Sequence, residues 1–284
     1  ICQKRDGCPP WSIQSPEIKH DRVKKQIEYK NAILKVYDVP VFYFPKFFHP
    51  DPTVERQSGF LFPQNNNSDV LGSSITQPYF KVIADNKDYT ITPTLFDNKI
   101  TSIQNEYRQE NKNSSFIVDF GFVNGYKNDN RSHIFANYNL DLNLNNFTTS
   151  KLFFGLEQVS NDTYLRVFGP YMSNAVSKFE NAFSMNNQIK LSLSNEDYNF
   201  TSGINIYENL NGSKNSDKYQ YVLPRYSFNT VLENKFLNGS IGISSSGSNN
   251  LKNTNNLITS VTNDVSYNSA DYVVGNGLKN NFNL

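Results

Sequence analysis

From residue 59 to the end of the chain, apolar and polar side chains take turns along long stretches, and this alternation restricts the fold more than any other feature. Between Ser132 and Asn145, Ile134, Ala136, Tyr138, Leu140, Leu142 and Leu144 fall on one face. His133, Asn137, Asn139, Asp141 and Asn143 fall on the other, with Phe135 the one exception. Phe116, Val118, Phe120 and Phe122 alternate in the same way against Asp119 and Gly121. Leu152, Phe154 and Leu156 follow, then Ile189, Leu191 and Leu193, and more weakly Ile204 with Ile206, Tyr219 to Leu223, Ile241 with Ile243, and Leu257 to Tyr267. A repeat of two is the period of a β-strand, whose successive side chains point to opposite faces.

About eleven or twelve strands of roughly ten residues fit after Gly59, joined by polar links. Such a series is the pattern of an outer-membrane β-barrel, apolar outside and polar inside. A soluble sandwich has the same period. The polar face favours the barrel, because Asn and Ser dominate it with few Lys or Glu, as in a water-filled lumen. Composition agrees: hydrophobic residues make up 37% and aromatics 14%, with 22 Phe and 17 Tyr. Few aliphatics and many aromatics suit a sheet with one apolar and one polar face. AT-rich codon usage is a competing explanation for the abundant Asn. Lys and Arg number 27 against 26 Asp and Glu, so no charge excess points to nucleic acid.

Upstream of Gly59 the sequence changes character. Residues 11 to 45 read as short strands, with Trp11, Ile13 and Ser15 on one face and Ala32, Leu34 and Val36 on one face of a later strand. Val41-Phe42-Tyr43-Phe44 is apolar on both faces, which predicts burial on both sides or contact with a membrane edge. Five prolines (Pro40, Pro45, Pro50, Pro52 and Pro63) lie between Glu28 and Pro63, a stretch that reads as a joint between two bodies. Each lacks an N–H donor, so Pro45, Pro50 and Pro52 are expected to stop the strand ladder. Pro63 and Pro78 fall in the first strand region of the second body, where each would delete a ladder hydrogen bond. They mark either strand starts or a weakened seam.

Little here points to catalysis. His20, His49 and His133 are far apart and in no metal-ligand spacing, and no nucleophile elbow, phosphate loop or dinucleotide fingerprint is present. The chain reads as a non-enzyme without cofactor or metal. Cys2 and Cys8, followed by Pro9-Pro10-Trp11, do not match a zinc site. They are candidates for a disulfide, local or to a distant partner, or two unpaired thiols. There is no run of apolar residues long enough for a spanning helix. The first residue is Ile and both ends interrupt a pattern, which predicts an internal piece of a longer protein.

One family resemblance is detailed. Cys8-Pro-Pro-Trp11, Ile18-Lys-His-Asp-Arg22, Tyr29-Lys-Asn-Ala32, Val39-Pro-Val41, Tyr43-Phe-Pro45, His49-Pro-Asp-Pro52, Arg56-Gln-Ser-Gly-Phe-Leu-Phe-Pro63, Gln77-Pro-Tyr-Phe80 and Tyr89-Thr-Ile-Thr-Pro-Thr94 closely resemble the LPS-assembly protein LptD family. The matches cover about residues 8 to 110; beyond them only the strand pattern carries over. The resemblance implies an all-β chain in which residues 1–47 end a periplasmic β-jelly-roll domain. Residues 48–58 would be a hinge and residues 59–284 the first part of a large outer-membrane barrel. It implies a protein that receives lipopolysaccharide from an LptA-type periplasmic bridge protein. An LptE-type lipoprotein would plug the barrel, and the lipid would pass into the outer leaflet through a lateral gate where the first and last strands meet. On that reading Pro63 and Pro78 are the gate prolines and Pro45, Pro50, Pro52, Arg56 and Gly59 shape the hinge. Cys8 lies where the family places disulfide cysteines, while Cys2 lacks a counterpart. A passive porin-like channel and a secreted β-rich adhesin or scaffold are the alternatives.

Overall fold

The computed structural model describes residues 11–172, 183–211, 218–234, 238–252 and 255–284. Cys2 and Cys8 lie outside the described residues. The chain divides into two compact units between Gly59 and Phe60.

The first unit is one sheet of four strands, β1 (Trp11–Gln14), β2 (Glu17–Asp21), β3 (Gln26–Val36) and β4 (Val39–Pro50). β3 pairs with β4 over its whole length, and with β2 over Gln26–Lys30 and β1 over Ile33–Val36. The β3–β4 hairpin turns on Tyr37 and Asp38, at φ of 47° and 67°. Two consecutive left-handed residues are what a tight hairpin needs to match the right-handed strand twist.

The expected end of the ladder at Pro45 and Pro50 is not found, because both belong to β4. β4 has β3 as its paired strand, so a proline nitrogen on the other side removes no bond to β3. At Pro45 the pairing skips from Phe44↔Ala32 to Lys46↔Lys30, past Asn31 at φ 52°. Val41, Phe42 and Tyr43 are more than half exposed, so the two-sided burial predicted for them is absent within this unit. Phe42, Phe44 and Phe47 instead form a row of ring contacts, at 4.6 Å and 5.4 Å between centroids.

The second unit is dominated by a 14-stranded antiparallel sheet. Its segments are β5 (Gly59–Phe60), β6 (Gln64–Ser68), β7 (Gly72–Thr76), β8 (Tyr79–Ala84), β9 (Lys87–Phe96), β10 (Thr101–Asn111) and β11 (Ser114–Tyr126). They continue as β12 (Asp129–Asp141), β13 (Thr149–Val159), β14 (Ser184–Ser194), β15 (Tyr198–Asn209), β16 (Tyr219–Asn234), β17 (Gly239–Lys252) and β18 (Leu257–Ser269). A short hairpin, β19 (Tyr272–Val274) with β20 (Leu278–Asn280), follows. β5 pairs with β8 and β6 with β7, so these four are two strands, each interrupted once. From β9 onward each strand pairs with its neighbour in sequence. The all-β reading is therefore correct, and counting each interrupted strand once leaves twelve strands in this sheet among the described residues, within the predicted number.

The alternation has a packing reason. Ile75 lies opposite Leu95, Ile103 opposite Phe122, and Phe154 opposite Ile189, which faces Ile204 in turn. All of these are exposed, so the apolar face is a continuous uncovered surface. The other face carries Thr94, Ser102, Gln104, Asp119 and His133, all buried.

Phe135, the exception in the pattern, is explained by the segment between β13 and β14. There α1 (Tyr164–Phe168) and a 3₁₀ turn (Gly169–Tyr171) fold onto the polar face. Phe135, Tyr164, Leu165 and Phe168 join Leu71, Phe96, Ile100, Val123, Tyr126, Met185 and Leu210 in one buried cluster. Tyr126 and Phe168 meet edge to face at 5.4 Å between centroids. Truncating a buried Phe costs about 3–5 kcal/mol. Phe168→Ala is expected to release this segment, raising hydrogen exchange across Tyr164–Tyr171 while β9 to β12 stay protected.

Candidate functional site: a proline-interrupted seam beside a polar cavity

The two interrupted strands break at the same height. β5 and β6 are separated by Leu61-Phe62-Pro63, and β7 and β8 by Gln77-Pro78. Pro63 is exposed just before β6, and Pro78 is buried. In an antiparallel ladder a hydrogen-bonded pair exchanges two N–H···O bonds. Here Leu61 N–H donates to Pro78 O at 2.9 Å, but Pro78 has no N–H to return. The same defect recurs one strand on. Gln77 N–H donates to Pro93 O at 3.1 Å, and Pro93, within β9, has no N–H to send back. Pro93 is a third seam proline, and sequence reasoning had passed over it because it sits inside a well-formed strand.

Beside the seam lies a cavity of about 640 Å³, lined among others by Leu61, Thr76, Pro78, Thr94, Glu106 and Arg108. Its polar wall is a chain of cross-strand contacts. Arg108 Nε donates to Asp88 Oδ1 at 2.8 Å and lies 3.3 Å from Glu106 Oε1. Glu106 stands directly opposite Asp119 in the ladder, a like-charge placement that costs stability unless a cation is near. Asp119 Oδ1 contacts His133 Nε2 at 3.2 Å, and His133 Nδ1 contacts Tyr164 Oη at 2.7 Å. Burial pushes the Tyr164 hydroxyl well above the ordinary tyrosine range, so it stays protonated. Thr76 and Thr94 hydroxyls meet at 2.9 Å. Among the described residues no group of His, Cys, Asp and Glu is arranged to hold a metal ion. No described helix is long and apolar enough to cross a membrane.

The residues expected to form a hinge are distributed. Pro45 and Pro50 are in β4, while Pro52 and Arg56 lie in the non-strand segment 51–58, and Gly59 opens β5. Asp51 organises the start of that segment. Its Oδ1 accepts from Thr53 N–H at 2.9 Å and Thr53 Oγ1 at 2.8 Å, and its Oδ2 meets His20 Nε2 at 2.5 Å. Asp51 N–H donates to Lys25 O at 2.9 Å, tying the segment to the β2–β3 turn. His49 contacts Tyr29 Oη at 2.9 Å. All three histidines therefore have polar partners, and the signal for each was the acidic or phenolic residue across the ladder or turn rather than a spacing in sequence.

The Thr53 hydrogen bonds, with His20 beside them, hold the Asp51 carboxyl below its ordinary value. A depressed carboxylate pKa contributes stability above the unfolded value of about 3.9, and this is lost as pH falls through the folded value. Asp51→Asn is expected to loosen residues 51–54 at neutral pH, with the difference from the parent disappearing under strong acid. Hydrogen exchange at the Thr53 amide across a pH series, corrected for intrinsic rates, checks this.

No protein-family model matches the chain. It is similar to curated relatives each called LPS-assembly protein LptD. The relative from Pseudoalteromonas translucida is 35% identical over 116 residues, which is 41% of this chain and 15% of that protein. The one from Sodalis glossinidius is 34% identical over 117 residues, 41% of this chain and 15% of that protein. The one from Aeromonas salmonicida is 39% identical over 105 residues, 36% and 13% respectively. The aligned part of the chain spans about 15% of the length of these relatives, the relation expected of a fragment of such a protein.

Proposed function

We propose that this chain, similar over two-fifths of its length to LPS-assembly protein LptD, is part of an outer-membrane protein that delivers lipopolysaccharide to the outer leaflet. Residues 1–47 end a periplasmic lipid-receiving domain, 48–58 link it onward, and 59–284 begin a transmembrane barrel. The exposed apolar face of the sheet meets lipid, and the polar face lines the lumen. An LptA-type bridge hands the lipid over, and an LptE-type lipoprotein occupies the barrel.

The observation that carries the reading is the seam. In hydrocarbon every backbone donor and acceptor must be satisfied within the protein, so missing ladder bonds are costly in a spanning strand. A passive channel gains nothing from such a defect. A protein that must let an amphiphile leave sideways does gain, because the defect loosens the first strand, which would form one edge of a gate with the last. Each acyl CH₂ left in water costs about 0.8 kcal/mol, so lipid A requires a continuous apolar route. The seam supports such a route, with Pro63 and Pro78 as its gate residues and the cavity beside it open to the polar headgroup.

The test is a reversible lock. A cysteine pair joining the first strand, at Phe60 or Leu61, to the last barrel strand of the full-length protein is expected to stop lipopolysaccharide from reaching the cell surface. Reductant is expected to restore it. Normal surface lipopolysaccharide in cells carrying only the locked form would sink the proposal. Lipid-independent conductance of small solutes, unchanged by the lock, would support the channel instead.

A further inference from the structure

At the seam, one side chain occupies the position of the absent donor. In the Leu61–Pro78 pair the bond made by Leu61 N–H has no counterpart from Pro78, which would leave Leu61 O without its ladder partner. Gln77 Nε2 donates to Leu61 O at 2.8 Å. It also lies 3.3 Å from Pro78 O, the acceptor of the Leu61 N–H. Its own backbone N–H meanwhile donates to Pro93 O at 3.1 Å on the other side. Gln77 is thus held to β9 by its main chain and to the first strand by its side chain.

The face on which this happens matters. Thr76 and Pro78 line the polar cavity, and alternation puts Gln77 on the opposite face with Ile75, which is exposed beside Leu95. An amide on an apolar surface is costly unless its hydrogen bonds are made. A packing role there would favour an aliphatic side chain. The geometry supplies a reason for an amide of this length: a donor that reaches one residue across the break.

We infer that Gln77 is the positioning residue of the seam, a side-chain stand-in for the N–H that Pro78 lacks. With the Leu61 N–H bond to Pro78 O, its bond to Leu61 O ties the interrupted part of the first strand to the second. A backbone ladder bond breaks only when the strands move, whereas a side-chain donor also releases by rotating about its own χ angles. The inference rests on the proposed lateral release for its purpose, but the hydrogen-bond substitution stands on the local geometry alone.

A double-mutant cycle in the full-length protein separates the two. Gln77→Met keeps the length of the side chain and removes the donor. Residue-resolved hydrogen exchange at the Leu61 amide is expected to accelerate about tenfold, the loss of about one hydrogen bond of local stability. The Asp119 amide in β11 is expected to change less than about twofold, within the usual independence of distant sites. Pro78→Ala restores the backbone N–H, and in that background Gln77→Met should have no effect on Leu61. Unchanged exchange in the single variant, equal acceleration in both backgrounds, or equal acceleration at Asp119 would each overturn the inference. Surface lipopolysaccharide in the same variants is scored separately. A cycle that behaves as expected with transport indifferent to it would leave the stand-in role intact and count against the proposed function.

Discussion

Backbone hydrogen bonding is the constraint on which the rest of this protein depends. A long antiparallel sheet with one uncovered apolar face has to satisfy its donors and acceptors strand to strand, and from β9 to β18 it does so almost without interruption. Its irregularities are bulges, one of them beside Pro224 in β16, and the proline breaks of the first strands. In the first three strands Pro78 and Pro93 have no N–H to return, and the pairing there rests on single bonds and a glutamine side chain.

The polar face adds a second layer of order. Glu106 and Asp119 oppose each other across the ladder, and Arg108 and His133 flank them on either side. Tyr164 links that chain to α1, so the segment between β13 and β14 is attached to the polar face by a hydrogen bond as well as by its aromatic cluster. Buried networks of this kind fix one arrangement among many, since leaving any member unpaired is expensive. The cavity beside the seam is bounded by this fixed wall on one side and the interrupted strands on the other.

In the first unit, the same proline chemistry has a different outcome. Pro40, Pro45 and Pro50 sit in an edge strand that stays paired to β3 with only local irregularities, while Pro78 and Pro93 have strands on both sides and leave bonds unreturned. Whether a proline weakens a sheet depends on which neighbour its nitrogen faces.

Sequence by itself determined the strand class, the approximate number of strands and the two faces of the sheet, because a period of two, repeated this often, is the period of a strand with two unlike faces. It also placed Pro63 and Pro78 as candidates, through their position in the first strand region. Tertiary structure decided what periodicity does not encode. Phe135 broke the alternation for no visible reason until α1 was seen to cover it. His133 was unremarkable until Asp119 and Tyr164, far away in the chain, were brought to either side of its ring. Gln77 looked like one more polar residue before a proline, since its role depends on Leu61 being one bond length away across a register that only pairing fixes. Local pattern specifies which way a side chain points; the identity of what it meets is set by strands that are distant in sequence.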